Sequence, residues 1–176
     1  APKDAIHPVL ARGNSTGITK VIDRLNELLR GSTVTPHKLQ AAVSMRIIPQ
    51  VHGAHADALD QVKSGIEQTI MTFSGNPMLV EDDGEGQARL LSVGSFHNQH
   101  LVNLIEYLAI STAHVGCLSE RRLHRMMDED QTGLNPQLAP RPGLDAGMVV
   151  AHKACIDLVA RVRMAARPLS LMTSET

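Results

Sequence analysis

The stretch from about Asn98 to Met127 constrains this chain more than any other. Leu101, Leu104, Ile105, Leu108, Val115 and Leu118 recur there at the three-and-four spacing of one helical face. About thirty residues at about 1.5 Å each reach about 45 Å. A compact domain built from 176 residues has little use for a helix that long. Such a helix belongs to a large bundle or an oligomer. The residues available for a core agree. Aromatic side chains make up only 2%, with no Trp, one Tyr and two Phe. The core is therefore aliphatic, which favours packed helices over a sandwich or barrel.

Three further segments read as helices. Ser15 or Thr16 caps the first, from about Gly17 to Arg30, with Ile18, Val21, Ile22, Leu25, Leu28 and Leu29 on one face and Gly31 as its stop. Leu59, Val62, Ile66, Ile70 and Phe73 mark a second from Ala54 to Phe73, and Met148, Val149, Ala151, Ile156, Val159 and Val162 a third from Asp145 to Ala166, ended by Pro168. Between Pro36 and Pro49 the pattern predicts a short helix near Lys38–Ser44 and then a loop or turn. Residues 1–14 are expected to be mostly irregular, and residues 128–144 a loop. Residues 74–94 are an excursion rich in Gly, Asp and Glu, in which Leu79-Val80 and Leu90-Leu91-Ser92-Val93 pair as a small hairpin. The expectation is one all-α domain over residues 1–176, with a single mainly irregular excursion.

The net charge of −1 argues against nucleic acid, which wants a clustered basic face. Arg121, Arg122 and Arg125 do cluster, but Glu120, Asp128, Glu129 and Asp130 surround them, so a solvated or ion-paired helix end is expected. Cys117 and Cys155 sit in apolar helical patterns and read as buried free thiols. No stretch reads as long and apolar enough to span a membrane, and the start is no signal peptide. A soluble protein of the reducing cytoplasm is the expectation.

Few residues invite chemistry. His52/His55 and His97/His100 are each three apart, on one helical face, but no HExxH or CxxC spacing supplies a third ligand, so no metal site is expected. Arg46 lies between Met45 and Ile47, beside Ile48-Pro49. A charge in so apolar a stretch needs an anion. That anion is either a structural carboxylate or the carboxylate of a substrate, gripped by the guanidinium fork. Gly94-Ser95-Phe96-His97-Asn98-Gln99-His100 opens the long helix, where backbone N–H groups can face an anion or simply be capped. Ser74-Gly75-Asn76-Pro77 reads as a turn.

The order of these segments resembles the histidine and phenylalanine ammonia-lyase family, aminomutases included, over nearly the whole chain. Gln40-Ala41-Ala42-Val43-Ser44-Met45-Arg46 is similar to the family's Gln-Asp-x-Tyr-Ser-x-Arg. Pro49-Gln50-Val51-His52-Gly53-Ala54 matches its next block, Ser74-Gly75-Asn76-Pro77 its Asp-Asn-Pro turn, and Gly94-Ser95-Phe96-His97 its Gly-Asn-Phe-His. Leu118-Ser119-Glu120-Arg121-Arg122 and Pro142-Gly143-Leu144-Asp145-Ala146-Gly147 complete the series. The resemblance implies the C-terminal part of a catalytic core of the fumarase/aspartase-like long-helix type, assembled as a homotetramer. It implies an enzyme that eliminates ammonia from an aromatic α-amino acid, or moves its amino group. Arg46 would hold the substrate carboxylate. Gln40, Asn76 and Phe96 would lie in or near the electrophile pocket, with His97 close behind and Ser44 beside the carboxylate. Ser119, Glu120 and Arg121 would tie helices together.

The departures bear on function. The family's electrophile, a 4-methylidene-imidazol-5-one, is made from Ala-Ser-Gly, and these 176 residues contain no Ala-Ser-Gly. The catalytic-base tyrosine of a glycine-rich loop has no counterpart. Val43, Ala41 and Ser95 stand where Tyr, Asp and Asn are usual, and Thr173-Ser174-Glu175-Thr176 stops short of Thr-Ser-x-x-Gln-Glu-Asp. Two readings follow. One is a piece of a lyase or aminomutase that needs another chain, in a hetero- or homo-oligomer, to supply electrophile and base. The other is an altered or non-catalytic helical scaffold of the same family.

Overall fold

The structure is a computed structural model that describes residues 3–13, 15–33, 40–81, 84 and 86–172. It consists of helices α1 (Thr16–Leu28), α2 (Val43–Arg46), α3 (Ile48–Ile70), α4 (Gln99–Met126), α5 (Glu129–Thr132) and α6 (Val149–Ala165), with strands β1 (Met78–Val80) and β2 (Arg89–Leu91) between α3 and α4. Short 3-10 turns at Lys3–Ile6, Pro8–Ala11, Pro136–Leu138 and Ser170–Met172 fill the connections. The long helices pack in the order α1, α3, α4, α6, so α4 is sandwiched.

The first seam is set by two glycines. A Cβ on Gly17 or on Gly53 would collide with the backbone of the opposite helix. Their absence lets α1 and α3 approach closely. Asp57 of α3 uses the proximity: its Oδ1 accepts from the Gly17 N–H at 2.7 Å, while Ser15 Oγ accepts from Ile18 N–H at 3.3 Å. Two of the orphan donors at the start of α1 are thus satisfied, one of them from a different helix. Ile22 is fully buried here, and Asn26 Nδ2 donates to the carbonyl oxygens of Ile6 and Ile22.

The second seam is antiparallel, and its register is read from three contacts. His52 meets Arg122, His55 meets Ser111, and Gly65 packs against Leu104. The third seam joins α4 to α6 through a buried polar contact. Glu120 Oε1 accepts from His152 Nε2 at 2.8 Å, and Glu120 Oε2 meets Arg121 Nε at 3.0 Å. The side chains of Glu120 and His152 are only 5% and 11% exposed, so this pair stands in place of apolar packing. After α6 the chain is drawn back to α4: Glu106 accepts from both the N–H and the Oγ–H of Ser170, each at 2.8 Å.

Several expectations shift. α3 begins at Ile48, not Ala54, because Pro49 occupies its first turn, where the missing N–H has no partner to lose. The short helix is Val43–Arg46; Lys38 and Leu39 of the expected span lie outside the described residues. The 128–144 segment is not all loop. Asp128 caps α5 by accepting from Asp130 N–H, and Gly133, at φ 67, ends it. α6 starts at Val149 rather than Asp145. Asp145 instead closes a turn with Arg141, whose Nη2 lies 2.9 Å from its Oδ1, and Gly147 adopts φ 55. Cys117 and Cys155 are free but half-buried rather than buried.

One expectation fails outright. α4 is long and apolar enough, by length and composition, to cross a membrane, with mean hydropathy 1.4 over its most apolar window. Flanking by α3 and α6 calls for apolar residues on more than one face, but only 17% of that window is buried within this chain; the two carboxylates of α4, Glu106 and Glu120, are tied to Ser170 and His152.

Among the described residues little apolar surface is covered. Ile6, Ile22, Pro49, Ala58, Val62, Ala113, Leu118 and Ala139 are buried, whereas Val102, Ile105 and Ile110 of α4 and Val150, Ile156, Leu158 and Met164 of α6 stay exposed. Its accessible surface is 12716 Å² for 19.0 kDa. A compact monomer of that mass exposes about 8,400 Å².

Candidate active site

The residues singled out in the sequence fall into two groups at opposite ends of α4. Gln40, Ser44 and Arg46 lie on or just before α2, which packs against α4 near its C-terminal end. Asn76, Phe96 and His97 lie in the excursion and the turn that leads into α4. From Gln99 to Arg122 the helix rises about 35 Å. A single copy of the chain therefore does not bring Arg46 and Phe96 to one small molecule.

Of the first group, Gln40 borders a cavity of about 660 Å³. Gln40, Ala41, Ala42 and Met45 line one side, Arg122, Arg125 and Met126 of α4 another, and Glu129 to Gly133 the third. Ser44 and Arg46 are not among the lining residues. Arg46 is the last residue of α2, with Ile47, Ile48 and Pro49 following as half-buried or buried neighbours. Its Nε is fully buried and has no hydrogen-bond partner. No ion pair to Arg46 occurs among the described residues, so the structural-carboxylate alternative finds no support. A buried guanidinium N–H without an acceptor costs about 1–3 kcal/mol. Native structures rarely leave such a group unused.

Arg122 departs from expectation. It is no solvated helix end: its Nη1 and Nη2 donate to His52 Nε2 at 3.3 and 3.2 Å, and Nη2 also donates to Ser119 Oγ at 3.1 Å. Burial lowers the pKa of Arg122 and is the first cause lowering that of His52. The three-residue spacing of His52 and His55 does put both rings toward α4, where they meet Arg122 and Ser111. The only sequence signal for this pairing was that spacing, matched by Ser119 and Arg122 three apart on α4.

The second group is open. Asn76 Oδ1 accepts from Val93 N–H at 2.9 Å and closes the base of the hairpin, in which Met78 pairs with Leu91. The Asn76–Pro77 peptide is cis. Phe96 is 61% exposed, and His97 Nε2 lies 3.1 Å from Gln99 Oε1. Asn98, at the cap position of α4, makes no side-chain cap bond.

The sequence model of the aromatic amino acid lyase family matches residues 4–176. The chain belongs to that family. The chain is 34% identical over 169 residues to a histidine ammonia-lyase of Geobacillus, covering 94% of this chain and 32% of the relative. It is 33% identical over 153 residues to the histidine ammonia-lyase of Alkaliphilus oremlandii, covering 85% and 29%. It superposes on the crystal structure of histidine ammonia-lyase from Trypanosoma cruzi with TM-score 0.85 and 27% identity, over 100% of this chain and 32% of that one. Phenylalanine aminomutase of Pantoea agglomerans gives 0.83 at 24% identity, over 99% and 38%, a likeness of fold. The chain spans about a third of the length of the relatives it matches. Its all-α architecture around a long central helix is the ammonia-lyase fold, and the relatives it matches are carbon–nitrogen lyases.

Proposed function

We propose that this chain is the carboxylate-binding part of an ammonia-lyase or aminomutase acting on an aromatic α-amino acid. Electrophile and catalytic base come from outside these 176 residues, on another chain. The observation that carries this reading is Arg46, whose buried Nε has no acceptor among the described residues. A guanidinium held among Met45, Ile47 and Ile48 is suited to a planar two-oxygen anion. The names of the relatives cover histidine and phenylalanine, which supports a substrate class rather than one side chain.

The electrophile itself does not fit this chain as its source, for want of Ala-Ser-Gly, and no step through it is assigned here. When supplied, it gives the reaction an acceptor for electrons. This chain's part is to bind and orient the carboxylate through Arg46, with Gln40 and Ser44 on the same segment of the chain. Asn76, Phe96 and His97 serve the same chemistry only if a second copy brings its excursion to the α2 end of the first. The uncovered faces of α4 and α6, and about 4,300 Å² of surface beyond a compact monomer's, support such an assembly. The oligomer contains this chain and a chain carrying the missing part. We place it in the cytoplasm, with an amino acid as its small-molecule ligand and neither nucleic acid nor membrane as a partner.

Val43 and Ala41 favour a second reading, a scaffold whose reaction is altered or lost. Val43 is exposed on α2, where the family's phenol would project. Combining this chain with a polypeptide that carries Ala-Ser-Gly separates the two. The first reading predicts ammonia release from an aromatic amino acid by the mixture and none by this chain alone. An assembled complex that releases no ammonia and moves no amino group favours the scaffold.

A further inference from the structure

We propose that His52 is a positioning residue: as a neutral ring it seats the Arg122 guanidinium and so fixes the α2–α3–α4 junction that carries Arg46. The importance of that junction rests on the function proposed above; the seating itself does not.

Both Nη atoms of Arg122 lie within 3.3 Å of one atom, His52 Nε2. Guanidinium N–H groups only donate, so Nε2 must present its lone pair and the ring proton must sit on Nδ1. No carboxylate pairs with Arg122 among the described residues; its other acceptor is the Ser119 hydroxyl. The ring lies in the second turn of α3, six residues after Arg46, and Arg122 lines the cavity beside Gln40 and Met45. One imidazole thus joins the start of α3 to the end of α4 beside the α2 segment.

A protonated His52 would lose its acceptor and face a cation about 3 Å away. The groups that face it are few. Arg122 comes from α4. His55 comes from its own helix and is bonded to Ser111. On α1, across α3, Lys20 pairs with Asp60, and Asp57 is taken by the α1 N-terminus. Arg46 is the only charged residue of α2. Burial first, then Arg122 and His55, lower the His52 pKa from 6.5. Stability from the neutral ring is therefore full above 6.5. It is lost as pH falls from 6.5 through the lowered folded value, because there the unfolded chain binds the proton first.

The test compares wild type, His52→Gln and His52→Phe in the complete assembly, with KM, kcat and thermal melting followed from about pH 5 to about pH 8. Glutamine keeps an acceptor near Nε2 but does not titrate; phenylalanine keeps the ring without the acceptor. In wild type KM is expected to rise about ten-fold as pH falls through this range, the loss of one charge-assisted contact, with kcat little changed. His52→Gln should be flat over the same range. His52→Phe should show the raised KM at every pH. An equal acid rise in wild type and His52→Gln, or an unaltered KM in His52→Phe, overturns the proposal. If the assembly turns over no amino acid at any pH, the functional reading fails and melting decides alone. A steeper acid loss of Tm in wild type than in His52→Gln supports the seating of Arg122, and equal losses refute it.

Discussion

The two ends of α4 are built in opposite ways. At its C-terminal end the chain supplies its own neighbours: the α2 segment, the end of α4 and α5 line a cavity, and His52 and Ser119 hold Arg122. At its N-terminal end the excursion barely touches the rest. Phe96 and Phe73 are largely exposed, Leu79 and Leu90 of the hairpin likewise, and the cap of α4 is unmade. The residues that resemble an active site are split between these ends. On the function proposed above, the difference teaches that one half of the site would be preorganised within the chain and the other would need a surface from a second copy.

The sharpest way to break this contrast is at the packed seam next to the finished end. Glu120→Ala leaves His152 without its acceptor in a buried setting and takes the carboxylate from the exposed Arg121. It should cost about 3 kcal/mol of unfolding free energy by chemical denaturation. A loss under about 1 kcal/mol would mean that the α4–α6 seam is held by apolar contacts and the ion pair is incidental. The smallest effect belongs to the open end. Phe96→Ala removes a ring that touches little of its own chain and should change the unfolding of that chain by less than about 0.5 kcal/mol. A loss of about 2 kcal/mol or more would show that the excursion packs on its own chain after all.

How much of this the sequence revealed depends on how local the cause is. The 28 residues of α4 are legible because the apolar period persists for many turns. The start of α3 was misplaced because Pro49 reads equally as a breaker and as a first-turn residue, and only the chain path decides. α6 was drawn four residues too early because Asp145 is spent on Arg141, a pairing that no periodicity announces. The His52–Arg122 contact was invisible for a different reason. It joins residues 70 apart, and it follows only from the register of two antiparallel helices. Arg46 is legible as a charge in need of an anion, but not that its Nε finds no acceptor among the described residues. The split of the site residues between the two ends of α4 could not be read at all, because similar motifs fix sequence order and not distance.

The most direct measurement is the kinetics of Arg46→Lys in the complete assembly, with thermal melting on the same preparation. A lysine keeps the charge but loses the planar fork. With Arg46 holding the substrate carboxylate, kcat/KM should fall by roughly thirty- to a thousand-fold, about 2–4 kcal/mol, while Tm and assembly stay as in wild type. Unchanged turnover with unchanged substrate affinity would remove Arg46 from the site, and a fall in Tm with intact catalysis would make it a structural residue.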